Sequence, residues 1–202
     1  MSKYYFENNQ TPRKLLRLPR YNYELAGYYY VTLCTQNRQC LFGDIKNDNM
    51  VLNDVGLMIH NIWSDIPNKY SCFSNDLFVL MPNHLHGILI INDKLGPAQG
   101  PAPTLSLSDV LRNFKSLTTT CYMKGVDTNK FKPFEKKLWQ RSYYEHVIRR
   151  NKSLDKIREY ILNNPRKWHE DLNNPNVGAG PCVGPRANNS RGHYEKILSQ
   201  NY

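Results

Sequence analysis

Paired cysteines are missing from this chain. Its five cysteines (Cys34, Cys40, Cys72, Cys121 and Cys182) are odd in number and scattered, with no CxxC pair. That argues against a disulfide framework and a cysteine zinc site, and it fits a reducing cytoplasm. Long apolar runs are missing as well. The run at 88–91 is far shorter than the roughly 20 residues a membrane-spanning helix needs. The opening "MSKYYFENNQTPRKLL" lacks the apolar stretch of a signal peptide. Acidic residues are scarce, 17 against 27 lysines and arginines, which leaves a net charge of +10 and a pI near 9.4. A polyanionic partner is the first expectation from that imbalance. No internal repeat is visible.

What remains is a chain of 202 residues, 40% apolar and 12% aromatic, enough for one folded domain with appendages. "GYYYVTLCT" (27–35) is aromatic and β-branched, hence a strand. "NDVGLMIHNIWSDIP" (53–67) spaces its apolar residues as a helix, with Asn53 or Asp54 as N-cap and Pro67 as the stop. "DLFVLMP" and "HLHGILIIN" read as two strands joined through Pro82-Asn83. After a Gly/Pro linker at 95–103, "SLSDVLRNFKSLTTTCYMK" (106–124) predicts a second helix. "LWQRSYYEHVIR" (138–149) predicts a fourth strand. "SLDKIREYILNN" (153–164) predicts a third helix, with Ser153 as N-cap and Asn164-Pro165 ending it. A last short helix is expected at 193–202.

The order β-α-β-β-α-β-α predicts an α+β protein of ferredoxin-like, split-βαβ type: an antiparallel sheet with helices on one face, plus a C-terminal tyrosine-bearing helix. The expected organisation is a basic arm at 1–24, a catalytic-type domain at 25–172 and a flexible Gly/Pro-rich tail at 173–202.

His84 and His86 sit two apart in a predicted strand, so both imidazoles project from one face while Leu85 points the other way. Two such rings can converge on one divalent cation, but a third ligand is required to build a shell. The plain alternative is a pair of half-buried polar residues on the open face of a sheet. On the third helix, Leu154, Ile157 and Ile161 make the apolar stripe, with Tyr160 and Asn164 one turn apart on its flank. They either face a shared site or are a boundary aromatic and a helix end.

Three stretches in order, "MPNHLH", "LWQRSYYEHVIR" and "IREYILNNPRKW", resemble the single-tyrosine HUH transposases, in particular the REP-associated, insertion-sequence-like group. The resemblance covers about residues 25–170. It implies a ferredoxin-like core and a divalent-metal-dependent nickase-ligase for single-stranded or hairpin DNA, in the bacterial cytoplasm and associated with the nucleoid. His84 and His86 match the metal pair and Tyr160 the nucleophile. Asn164 falls where many relatives carry a glutamine metal ligand. It is one methylene shorter, so direct ligation and a water bridge are both open. Mg²⁺ or Mn²⁺ is the expected ion, since open sites handling phosphate usually hold such ions. No role is assigned to His146.

From Arg112 to Lys167 lie fifteen basic residues against five acidic ones, an excess equal to the net charge of the whole chain. Arg112, Lys115, Arg141, Arg149, Arg150 and Arg158 are the expected phosphate contacts, and Tyr143 and Tyr144 are expected to stack on unpaired bases. Trp139 is expected to pack against the sheet instead. The rival reading is a non-catalytic single-stranded nucleic-acid-binding module on the same type of sheet. A water-using phosphodiesterase, a replication initiator and a relative that only processes its own genomic repeats are further alternatives. The sequence leaves monomer and homodimer both open.

Overall fold

The apolar and aromatic run that begins the domain becomes the central strand, β1 (Gly27–Cys34), of a four-stranded sheet. The computed structural model describes residues 25–92 and 105–177. The basic arm, the Gly/Pro linker, the tail beyond 177 and the expected last helix lie outside the described residues. β1 is followed by a hairpin, β2 (Gly43–Lys46) and β3 (Asn49–Leu52), then helix α1 (Asp54–Ser64) and a short α2 (Ile66–Lys69). Next come β4 (Phe73–Met81), β5 (His84–Ile91), α3 (Leu107–Asp127), β6 (Tyr144–Ile148) and α4 (Asn151–Asn163). The sheet order is β4-β5-β1-β6 and every neighbouring pair is antiparallel. This is the split-βαβ arrangement expected from the element order.

Strand parity divides the core in two. Tyr29, Val31, Leu33, Leu85 and Leu89 point to the face covered by α1 and α3, where Trp63, Val110, Leu111 and Phe114 complete the larger cluster. Tyr30, Ile88 and Ile148 point to the opposite face and meet Leu154, Ile157 and Ile161 of α4. Burying each of these aliphatic side chains contributes about 1.5–3 kcal/mol. The apolar stripe of α4 therefore fixes which way its flank points. The tyrosine helix and the histidine row share one face.

Several local details differ from the sequence reading. The β2–β3 hairpin was not expected; Asn47 and Asp48 make its turn, both with positive φ, a type of two-residue turn that Asn and Asp tolerate. Pro67 does not stop α1. That helix ends at Ser64, and Pro67 sits in the first turn of α2, where its missing N–H costs nothing. Asn53 caps α1 by accepting from the Gly56 N–H. The fourth strand is only five residues long. Before it, Lys115 Nζ donates to the backbone carbonyls of Gln140 (2.9 Å) and Ser142 (3.2 Å), groups that a continuing ladder would have needed. Helix α4 begins at Asn151 with Arg150 as N-cap, so Ser153 is inside it rather than capping it. Finally, Asn173 and Asn174, assigned from sequence to the tail, are buried.

Candidate metal and nucleophile site

β5 carries His84 and His86 into the space between the sheet and α4, and both are fully buried. Each ring is held by its Nδ1. His84 Nδ1 lies 2.8 Å from Asn83 Oδ1, while the Asn83 amide nitrogen donates to the carbonyls of Arg38 (2.9 Å) and Asn173 (2.7 Å). Those two acceptors fix the amide orientation, so Oδ1 must accept and His84 Nδ1 carries the proton. Its Nε2 lone pair is then turned toward His86. His86 Nδ1 lies 2.8 Å from the Tyr30 hydroxyl and 2.9 Å from Thr32 Oγ1.

The two Nε2 atoms are 3.0 Å apart. Two donors held cis on an octahedral ion with bonds of about 2.1 Å stand about 3.0 Å from each other. Asp171 closes the group: its Oδ2 is 3.6 Å from His84 Nε2, and the ligand atoms of His84, His86 and Asp171 all lie within 4.8 Å of one another. Asp171 Oδ2 is buried without a hydrogen-bond partner, as is Oδ1 of the buried Asn164. A buried carboxylate oxygen left unpaired is costly, and a cation is the partner its chemistry asks for. Two imidazole nitrogens with unpaired buried oxygens beside them fit a divalent ion.

Electrostatics agree with a ligand role. Burial lowers the pKa of His84 and outweighs the opposing pull of Asp171, so the ring stays neutral, the form that binds metal. The Tyr160 hydroxyl lies 3.4 Å from His86 Nε2. Burial pushes its pKa above the ordinary phenol value and Asp171 adds to the rise, while hydrogen bonds from Asn164 and Tyr30 act in the other direction. Protein groups alone thus keep this phenol protonated. The Asn164 carboxamide, at the C-cap of α4, lies against both His84 and Tyr160.

The structure brings together His84, His86, Tyr160 and Asn164, all named from sequence. It adds Asp171, Asn83, Tyr30 and Thr32. The partners on β1 could have been found from parity, because Thr32 pairs with His86 in register and Tyr30 follows on the same face. Asp171 had no such signal. It follows a 3-10 turn (Pro165–Glu170) in irregular chain, held where Arg38 donates to the Leu172 carbonyl (2.6 Å) and Asp171 Oδ1 accepts from the Asn173 N–H (2.6 Å).

The expected DNA contacts divide. Arg141, Arg149 and Arg150 are exposed. Arg112 is exposed and paired with Asp109. Lys115 is turned inward onto backbone carbonyls, and burial pulls its pKa down to about 8. Arg158 makes a two-pronged pair with Asp76 on β4, at 2.7 Å from Nη2 and 3.0 Å from Nε, tying α4 to the sheet edge. Tyr143 is half-buried and packs against the main core, its hydroxyl 3.2 Å from Ser108 Oγ. Tyr144 instead faces the site side, edge-on to Tyr30. Trp139 is buried as expected, donating to Thr118 Oγ1.

A split-βαβ sheet with a histidine pair on one face and a tyrosine helix across it is the setting in which the comparisons fall. The family model described as IS200-like transposase matches residues 24–164, and the chain belongs to that family. It is therefore a transposase-type protein. An uncharacterized protein of Haemophilus influenzae is 38% identical over 173 residues, covering 79% of this chain and 91% of that protein. A REP-associated tyrosine transposase, solved bound to a REP hairpin, has the same fold. The match has a TM-score of 0.51 at 21% identity and covers 75% of this chain and 73% of the other. Among the described residues, no helix is long and apolar enough to cross a membrane.

Proposed function

We propose that this protein is a metal-dependent single-stranded DNA nickase and strand transferase that works through a 5′-phosphotyrosine at Tyr160. The observation that carries the reading is the 3.4 Å approach of the Tyr160 hydroxyl to His86 Nε2, itself 3.0 Å from His84 Nε2. His84, His86 and Asp171 would hold the ion, with Asn164 as a further oxygen donor. Of Mg²⁺ and Mn²⁺, the mixed nitrogen and oxygen set favours Mn²⁺. When bound, the ion supplies Lewis-acid withdrawal of charge from the phosphodiester and offsets the burial that keeps the phenol protonated.

Tyr160 offers a nucleophilic phenol oxygen beside the imidazole pair. Its oxygen bonds to phosphorus, the bond to the 3′-oxygen breaks, and the phenol proton ends on that leaving oxygen. The ester keeps the energy of the cleaved linkage, so a second 3′-hydroxyl can reverse the step and join strands without ATP. Arg141, Arg149 and Arg150 would bind the phosphates, and Tyr144 is placed to stack on an unpaired base.

The test is incubation with a labelled single-stranded hairpin library and Mn²⁺ or Mg²⁺, followed by denaturing electrophoresis. A protein-sized labelled band should form with the natural chain and vanish in Tyr160→Phe and His84→Ala. Cleavage with no covalent band would point to a water-using phosphodiesterase, and binding unchanged by Tyr160→Phe with no cleavage at all would point to a binding module.

A further inference from the structure

Asp171 sits in a turn that is complete within itself. Its Oδ1 accepts from the Asn173 N–H (2.6 Å), and its carbonyl accepts from the Asn174 N–H (2.9 Å). These bonds fix the local shape of residues 171–174 but not where the turn lies. Its two middle carbonyls, of Leu172 and Asn173, take no part in them. Each is met by a donor from a distant part of the chain. Arg38 Nη1 donates to the Leu172 carbonyl (2.6 Å) across 134 positions, and Asn83 Nδ2 to the Asn173 carbonyl (2.7 Å) across 90.

The two donors are linked to each other and to the imidazoles. Asn83 Nδ2 also donates to the Arg38 carbonyl (2.9 Å), and Asn83 Oδ1 lies 2.8 Å from His84 Nδ1. Arg38 therefore reaches His84 through its main chain and Asn83, and Asp171 through its side chain and Leu172. It is half-buried in the loop that leaves β1, where Asn37 and Arg38 both take left-handed backbone, φ 56° and 55°. Two such non-glycine residues in succession are unfavourable and persist where surrounding contacts hold them. The result is visible at the site. Asp171 Oδ1 is engaged within the turn, while Oδ2, buried and without a hydrogen bond, stands 3.6 Å from His84 Nε2.

We propose that Arg38 is a positioning residue of the metal centre: its guanidinium, with the Asn83 carboxamide, seats the Asp171 turn so that Oδ2 faces the imidazole pair. This rests on the ligand roles proposed above. Position and charge make opposite predictions for Arg38. A guanidinium near a cation site repels the ion, so by charge alone its removal would tighten binding. By position, its removal lets the carboxylate drift from the imidazoles and weakens binding.

The experiment is a double-mutant cycle on the DNA-free full chain, read as Mn²⁺ affinity by electron paramagnetic resonance. Arg38→Met keeps an unbranched stem and the backbone carbonyl that holds Asn83, so it reads the guanidinium alone. In the natural background it is expected to weaken Mn²⁺ about tenfold, the low end of the range for an outer-shell partner. In Asp171→Asn it should have little further effect, because the carboxylate it positions is already gone. Unchanged or tighter binding in Arg38→Met would overturn the proposal. An equal loss in both backgrounds would do the same, since Arg38 would then be a general support of its loop. Should Arg38→Met fail to fold by circular dichroism, Arg38→Gln replaces it, and the same loss, seen only with Asp171 present, is required. The ligand reading fails by a different result: a natural chain that binds no Mn²⁺, or an Asp171→Asn chain that binds it equally well. Either would take this proposal with it.

Discussion

The Tyr160 hydroxyl and His86 Nε2 stand 3.4 Å apart although 74 positions separate them in the chain. Two unrelated periodicities produce that approach. Strand alternation turns His86 to the α4 face, and the Leu154, Ile157 and Ile161 stripe seats α4 so that its flank overlies the same spot.

Asp171→Asn removes charge from the site while keeping shape. The amide oxygen can still accept from the Asn173 N–H, and the unpaired carboxylate oxygen is gone. We expect Mn²⁺ affinity to fall about tenfold or more, with covalent DNA adduct lost at limiting ion. Metal-free thermal stability should hold or rise by about 1 kcal/mol, the low end of the cost of an unpaired buried polar group. Titration calorimetry and thermal melts in chelator check both. A fall in metal-free stability of several kcal/mol would mean Asp171 is structural.

Gly87 lies between His86 and Ile88 on β5 and faces the larger core. A methyl there would meet Trp63 Cζ2 at 2.6 Å and Phe78 Cβ at 3.2 Å, against a buried indole with little room to retreat. Gly87→Ala should cost about 1–3 kcal/mol through overpacking. Because strain relaxes along β5, Mn²⁺ binding should weaken too. Urea unfolding that leaves the midpoint untouched would contradict the packing described here.

Stability should depend on pH through His84. Burial lowers its folded-state pKa below the unfolded value of about 6.5. Between those two values the unfolded chain holds more protons, so stability rises with pH across that window. The contribution is complete above about pH 6.5 and is lost as pH falls below it. Melting temperatures in chelator from pH 5 to 8 should show that slope, and His84→Gln should flatten it. An unchanged slope in the variant would assign the effect to another group.

Salt dependence should separate surface cations from inward ones. Each single-strand phosphate contact contributes a log–log slope of about −0.7. Arg149→Ala, at an exposed position, should make the slope shallower by about that amount. Lys115→Met should leave the slope unchanged and lower stability by about 1.5–3 kcal/mol, since the ammonium holds the Gln140 and Ser142 carbonyls. Fluorescence anisotropy across a salt series distinguishes the two. Equal slopes for both variants would mean the DNA path lies elsewhere.

The sequence by itself determined whatever depends on local repetition. Period two put His84 and His86 on one face; period 3.6 put Tyr160 and Asn164 beside the α4 stripe; the element order implied the split-βαβ sheet. Each of these is a property of neighbours along the chain, where geometry is set by backbone sterics. Tertiary structure alone decided which of two buried faces the tyrosine helix would cover, and that Asp171, from irregular chain with no period, would bring a carboxylate beside the two imidazoles. It also decided which cations are surface groups. Lys115 and Arg158 are alike as isolated cations in the sequence, but the first is turned onto backbone carbonyls and the second, still part-exposed, pairs with Asp76. Charge is written in the residue, whereas its partner is chosen by the fold, because long side chains reach whichever opposing dipole or ion the packing brings near.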